Sequence, residues 1–188
     1  VAASFKKAIV GPKRIYGIAE KWHKEQKEAR KVLSTLPKSR YAEISYERLI
    51  ESPKEVLSQL CEKIGVNFDE NMLDYYRSEE SHRTADSGEM WKNVTQPVLA
   101  DNKKKYLREL SQEELDLFES VASESLLSLG YELSAKQLQI IDPIEIEKYL
   151  RQEEEVRLIA RKSANMHDVN LRQPQEDLLR KIRARFDE

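Results

Sequence analysis

The segment Arg40-Tyr41-Ala42-Glu43-Ile44-Ser45-Tyr46 is the stretch on which the fold class depends. Its side chains alternate in polarity, and its aromatic and β-branched content is typical of a β-strand. The rest of the sequence predicts helices, and a lone strand cannot form a sheet. We therefore expect the neighbouring strands to lie outside this chain, which would make it a truncated portion of a larger α/β protein.

Helical patterns flank this predicted strand on both sides. One helix is expected from about Lys13 to Leu36, with a single apolar face. The side chains expected on that face are Trp22, Ala29, Val32, Leu33 and Leu36. A second helix is predicted to start with Ser52 as its N-cap, Pro53 at its first position and Glu55 closing a capping box. Gly65 is the expected end of that helix.

The second half of the chain is also mostly helical in its pattern. A short helix is predicted at Glu70–Arg77, and the aperiodic stretch Ser78–Thr95 is interpreted as a long surface loop, a kind of segment that is often functional. Ser111-Gln112-Glu113-Glu114 is a further capping box, and it opens an amphipathic helix that Gly130 ends. Residues 134–188 then form a charged, helix-favouring extension, with an interruption expected near Asn165–Pro174.

Composition excludes several classes of protein. The chain has 188 residues, with Lys+Arg 32, Asp+Glu 34 and a net charge of −2, which argues against a nucleic-acid or anionic-membrane surface. The run Lys103-Lys104-Lys105 is too short to change that interpretation. No apolar run approaches the roughly 20 residues of a membrane span. A single cysteine, Cys61, excludes an internal disulfide, and three scattered histidines indicate no metal site. With no export signal, this favours a cytoplasmic protein.

Four motifs that occur in a fixed order point to one family. They are Val1-Ala2-Ala3-Ser4-Phe5, then Ser45-Tyr46-Glu47-Arg48-Leu49-Ile50-Glu51-Ser52-Pro53, then Gly88-Glu89-Met90-Trp91-Lys92-Asn93, and finally Tyr106-Leu107 before the helix that ends at Leu129-Gly130-Tyr131. The ordered set resembles the C-terminal half of the sulfotransferases that use 3′-phosphoadenosine 5′-phosphosulfate (PAPS). The resemblance covers roughly residues 1–133. It implies a P-loop-like nucleotide-binding α/β fold with a parallel sheet, of which this chain would supply the mostly helical C-terminal portion and one strand.

The resemblance also implies four residues that bind PAPS or its product, 3′-phosphoadenosine 5′-phosphate (PAP). Ser4 matches the serine that holds the 3′-phosphate, and a hydroxyl near a helix start suits an anion. Tyr46 matches the aromatic residue beside the adenine ring. Arg83 is expected to grip the 3′-phosphate from the loop, and Gly88 to supply a turn that a side chain would hinder. The structural alternatives are an N-cap or surface serine, a half-buried strand tyrosine and an exposed loop arginine.

Other residues of these motifs are assigned structural roles. Thr84-Ala85 stands where the family pattern has Lys-Gly after the arginine, so the sequence departs from that pattern beside Arg83. Trp91 is expected to anchor the far end of the loop by burial. His23 is expected to be solvated among its charged neighbours, and His82 shares the loop with Arg83.

The implied function is transfer of a sulfuryl group from PAPS to a hydroxyl or amine acceptor, which would be a small molecule or a carbohydrate. No Gly-rich phosphate loop occurs in these residues, so the loop and the catalytic base are expected upstream of Val1 and no catalytic residue is assigned here. The segment 1–133 would then be the C-terminal part of a sulfotransferase domain that is inactive alone. The alternative is a helical interaction or dimerisation module, with residues 134–188 docking on a partner or a second copy.

Overall fold

The computed structural model describes residues 1–8, 11–99, 102–135, 137–163 and 166–185, without the side chains of Glu89, Met90, Arg161 and Asp168. Over these residues the regular structure is helical. The α-helices are α1 (Ala2–Phe5), α2 (Ile15–Ser34), α3 (Tyr46–Glu51), α4 (Pro53–Ile64), α5 (Glu79–Asp86), α6 (Tyr106–Glu109), α7 (Gln112–Ser128), α8 (Pro143–Lys162) and α9 (Met166–Ala184). Short 3₁₀ helices span Lys38–Arg40, Glu70–Arg77 and Glu89–Thr95.

The chain forms two compact units, which are described separately. The first unit contains Val1–Phe68 and Leu99–Ile159, and the second contains Asp69–Val98 and Ala160–Glu188. No helix among the described ranges combines the length and the apolar character needed to cross a membrane.

The first unit is built around the pairing of α2 with α7. The two helices run in the same direction, because Trp22 packs on Phe118 while Arg30, two turns later on α2, donates a hydrogen bond to the carbonyl of Ser128 at 2.8 Å. The buried side chains of this core are Ala2, Ala3, Ile15, Ile18, Leu110 and Leu115. The buried residues of α2 are residues 15–19, which are not on the predicted apolar face. On that face Trp22 and Leu33 are partly buried, whereas Ala29, Val32 and Leu36 are exposed, so the predicted face is wrong for those three. Val32 is 57% exposed, since α7 ends opposite Arg30.

The strand predicted at Arg40–Tyr46 is wrong. Residues 41–45 have no strand assignment, and Tyr46 is already the first residue of α3. The Ser45 hydroxyl accepts a hydrogen bond from the Arg48 N–H at 3.2 Å, which makes Ser45 an N-cap. Since the described part of the chain contains no strand that could pair with this segment, the local cap decides its structure. The structure shows a helical portion, and the parallel sheet expected from the family stays a prediction.

The helix α4 has the predicted ends but not the predicted capping box. Pro53 occupies its first position, and Gly65 ends it with φ at +75°, a left-handed conformation that favours glycine. The Ser52 side chain makes no cap hydrogen bond. Ser52 is also the C-cap of α3, and its N–H donates to the Arg48 carbonyl. One residue therefore ends α3 and precedes the start of α4.

The second unit contains helices where a loop was expected. The 3₁₀ helix Glu70–Arg77 confirms the short helix, but the loop prediction for Ser78–Thr95 is wrong, because α5 and a 3₁₀ helix occupy most of it. The Ser78 hydroxyl accepts a hydrogen bond from the Ser81 N–H at 3.1 Å, which caps the start of α5. The sequence pattern did not predict this helix because its apolar residues show no helical periodicity.

The charged extension is helical, as predicted, through α8 and α9. The interruption expected near Asn165–Pro174 is not present over the part that the structure describes, since α9 runs from Met166 through Pro174 to Ala184. Asn165 itself lies outside the described residues. Pro174 removes one backbone donor from the helix interior, yet the helix continues past it.

Candidate functional site

Ser4 lies on α1 and presents its side chain to solvent. Val1 is the N-cap of this helix, so the alternative of Ser4 as an N-cap does not hold. No described side chain hydrogen-bonds the Ser4 hydroxyl, which is exposed and able to donate to a ligand oxygen. The nearby Lys6 ammonium is held by Glu114 at 2.6 Å, so its charge is already paired.

Tyr46 is the first residue of α3, and it is 50% exposed. It therefore does not lie on a strand. Half of its side chain is in solvent, so a face of its ring is free to pack on a planar ligand. The neighbouring Glu47 accepts hydrogen bonds from Ser45 Oγ at 3.1 Å and from the Tyr131 hydroxyl at 3.2 Å.

Arg83 lies on α5 in the second unit, not on a loop. Its guanidinium contacts Glu79 at 3.2 Å and Glu80 at 3.9 Å, while the side chain remains 74% exposed. Gly88 follows α5, is buried, and has φ at +151°, a conformation that L side chains rarely adopt. The turn expected at Gly88 is therefore present. Trp91 is 42% exposed, so the prediction of a buried anchor is wrong.

The four predicted site residues thus divide between the units. Ser4 and Tyr46 belong to the first unit, whereas Arg83 and Gly88 belong to the second. An exposed hydroxyl can donate to an anion, and an exposed aromatic ring can pack on a planar ligand. The sequence holds no Gly-rich phosphate loop.

His23 is not solvated, contrary to expectation. Its Nδ1 atom lies 2.8 Å from the Oγ of Ser125, which is buried on α7, and its Nε2 atom lies 3.8 Å from Glu124. The hydroxyl is enclosed between α2 and α7, so a substrate cannot reach it and the contact is structural. The signal in the sequence was Ser125 itself, a polar residue three positions after buried Ala122 on the same helix face.

Two buried carboxylates were missed by the sequence analysis. Glu153 on α8 accepts from the N–H of Lys13 at 2.7 and 3.0 Å and from the N–H of Arg14 at 2.7 Å. Glu119 on α7 accepts from the N–H and the hydroxyl of Ser134 at 2.7 and 2.8 Å, and from the N–H of Ala135 at 2.6 Å. Backbone donors occupy both carboxylates, so they hold the chain together and are not available for catalysis.

A small cavity lies between residues 42–45 and α4. Its volume is about 170 Å³, and its polar lining includes Ser45, Arg48, Gln59 and Lys63. Ligand pockets typically measure about 300–1,000 Å³. The cavity is smaller than that range, and Arg48 is paired with Glu55 at 3.3 Å, so we assign no ligand to it.

Comparison with known proteins supports the first half of the resemblance. Residues 2–70 match the sequence model of the sulfotransferase family. This match confirms the predicted family for the segment that contains Ser4 and Tyr46, and it covers somewhat more than a third of the 188 residues. Arg83 and Gly88 lie beyond it. A comparison with curated proteins finds no match, and a comparison with solved structures finds none either.

Proposed function

We propose that this chain is part of an enzyme that transfers a sulfuryl group from PAPS to a hydroxyl or amine acceptor. The observation that carries the proposal is the family match over residues 2–70, because it contains two exposed side chains with the chemistry that a nucleotide 3′-phosphate and base require. PAPS supplies the activated sulfuryl group. We assign this chain a binding role and no catalytic residue. A carbohydrate or small-molecule acceptor and a cytoplasmic location remain predictions.

The roles of the first-unit residues follow from their exposure. The Ser4 hydroxyl would donate a hydrogen bond to a 3′-phosphate oxygen, and a hydrogen bond to a charged acceptor contributes about 1.5–3 kcal/mol. The Tyr46 ring would pack on the adenine. This role would explain why so large an aromatic side chain is left half exposed to solvent.

Arg83 is proposed as a phosphate-binding residue on the basis of its own exposure. Its ion pairs with Glu79 and Glu80 are exposed, and exposed pairs within one helix contribute only about 0.3–0.5 kcal/mol. A phosphate dianion, which can accept two hydrogen bonds from the guanidinium, would compete with them effectively. Gly88 would shape the turn that follows α5.

The test is calorimetric titration of the 188-residue chain with PAP. Ser4→Ala should raise the Kd about 10- to 100-fold, because 1.4 kcal/mol corresponds to a factor of 10. Tyr46→Ala should raise the Kd about 5- to 10-fold, because the stacking contribution of its ring is smaller. Ser39→Ala is the matched control for Ser4, because Ser39 is an exposed serine of the same unit with no role in the proposal. Absence of PAP binding, or equal affinities for the Ser4 and Ser39 variants, would contradict the proposal.

The assignment of Arg83 has its own control in the same unit. Arg77 is similarly exposed and pairs with Asp74 at 3.6 Å. Arg83→Ala should weaken PAP binding about 10-fold, whereas Arg77→Ala should leave it unchanged. If PAP binds normally to both variants, Arg83 is not part of the site.

The apolar surface of α9 supports a second candidate, a module that associates with another copy of the chain. Leu171, Leu178 and Ile182 share one face of this helix and are 48%, 58% and 41% exposed. Sedimentation velocity should then show concentration-dependent association that the double variant Leu171→Asp/Leu178→Asp abolishes. Asn170→Asp, on another face, should have no effect. A monomeric wild-type chain at high concentration would exclude this candidate.

A further inference from the structure

Tyr131 is held firmly at the end of α7. It follows Gly130, whose φ is +79°, and its N–H donates to the Leu126 carbonyl at 3.0 Å. This backbone hydrogen bond across the helix terminus fixes Tyr131 to the last turn of α7. From there its hydroxyl reaches Glu47 Oε2 at 3.2 Å, across 84 positions of sequence.

The same carboxylate oxygen is tied to the residue before Tyr46. Ser45 Oγ donates to Glu47 Oε2 at 3.1 Å, and the Ser45 oxygen in turn accepts from the Arg48 N–H at 3.2 Å. One oxygen atom of Glu47 therefore joins the N-cap of α3 to the end of α7. Tyr46 lies between the two residues that make these contacts.

Tyr46 makes no side-chain hydrogen bond to the described part of the chain that could orient its ring. The ring is half in solvent, and α3 has only 6 residues, too few for a helix to be stable by itself. The position of the ring therefore depends on how the first turn of α3 is held. The Tyr131–Glu47 hydrogen bond connects this turn to the end of α7 in the α2–α7 core.

We propose that Tyr131 and Glu47 are positioning residues for Tyr46, which fix the first turn of α3 against the end of α7 so that the ring packs on an adenine base. The inference rests on the proposed function, because it assumes that Tyr46 contacts the nucleotide. Burial, followed by the charge of Glu47, raises the pKa of the Tyr131 hydroxyl above its usual value of 10.0, so the hydroxyl remains a donor at neutral pH.

The experiment compares two ligands that differ only in the base. PAP carries adenine, and ribose 3,5-bisphosphate lacks it. Tyr131→Phe removes one hydroxyl and should raise the Kd for PAP about 3- to 10-fold while leaving the Kd for the base-free probe unchanged. Tyr41→Phe, which removes a hydroxyl from the same unit without touching Glu47, should alter neither. Glu47→Gln keeps an oxygen that can accept the hydrogen bond, so it should lose less PAP affinity than Glu47→Ala.

Each alternative result overturns the inference in a recognisable way. Equal loss of affinity for both ligands in Tyr131→Phe would mean that the contact is merely structural. Normal PAP binding by Tyr131→Phe, alongside weakened binding by Tyr46→Ala, would refute the positioning role and leave the proposed function standing. A folded wild-type chain that does not bind PAP would refute both.

Discussion

Glu153 provides the sharpest test of how the first unit is held together. Its carboxylate lies in the interior and accepts from two backbone N–H groups, those of Lys13 and Arg14, at 2.7 to 3.0 Å. It also lies so close to α2 that a Cβ atom added to Gly17 would be 3.3 Å from its Oε2. Glu153→Ala therefore removes the acceptor of two donors where water has little access.

The expected loss can be estimated from these contacts. A hydrogen bond to a charged group contributes about 1.5–3 kcal/mol, so two such donors give about 3–6 kcal/mol of lost stability for Glu153→Ala. Glu153→Gln retains one acceptor oxygen and should lose about half as much. For a chain of this size, 1 kcal/mol corresponds to about 2–4 °C in Tm, so the alanine variant should melt about 6–24 °C lower.

The assay is urea denaturation followed by circular dichroism at the helical band. Glu154→Ala is the matched control, because Glu154 is the next residue of the same helix, carries the same charge and is exposed. It should change the stability by less than about 0.5 kcal/mol, as surface substitutions usually do. If Glu153→Ala is as stable as this control, α8 does not hold the entry to α2 and our reasoning is wrong.

Further predictions can be checked in the same urea titration. Glu119→Ala removes the acceptor of three hydrogen-bond donors and should lower the free energy of unfolding by about 3 kcal/mol. Glu113→Ala, on the exposed face of the same helix, should lower it by less than about 0.5 kcal/mol. Equal losses in the two variants would show that the contacts of Glu119 do not stabilise the fold. Ser111→Ala should cost about 1 kcal/mol, because α7 loses its N-cap, and an unchanged midpoint would show that the cap is dispensable. Burial acts to raise the pKa of Glu114, but the Lys6 ammonium and the Ser111 N–H outweigh it and lower that pKa below 4.5. The pKa of Glu114 is lower in the folded state than in the unfolded state. The ionised carboxylate therefore stabilises the fold fully above the unfolded pKa, and this stabilisation is lost as the pH falls through the folded pKa. Between about pH 5 and pH 3 the wild type should lose stability more steeply than Glu114→Gln, and parallel pH profiles would refute this.

The candidate site was only partly predictable. The family of residues 2–70 could be identified because motifs are read in sequence order, whatever the conformation of the chain. The surroundings of each site residue could not. Tyr46 was expected on a strand and begins a helix, and Arg83 was expected on a loop and lies on α5 with two ion pairs. Whether a segment becomes a strand depends on a second strand with which it can pair. That strand can be distant in sequence, so the local pattern does not predict it.

By itself, the sequence determined the ends of helices α4 and α7. The Ser111–Glu114 capping box is formed with both hydrogen bonds, and Gly65 ends α4 in the left-handed conformation that its lack of a side chain permits. These features depend on residues three or four positions apart, so they are present before the chain folds further.

Only the tertiary structure decided which polar side chains hold distant parts of the chain together. Glu153 accepts from a backbone 140 positions earlier, and Tyr131 reaches Glu47 across 84 positions. In the sequence both resemble ordinary surface residues, as does His23 among its charged neighbours. Their roles arise only when packing excludes water, because a buried N–H or hydroxyl must then find its partner within the protein.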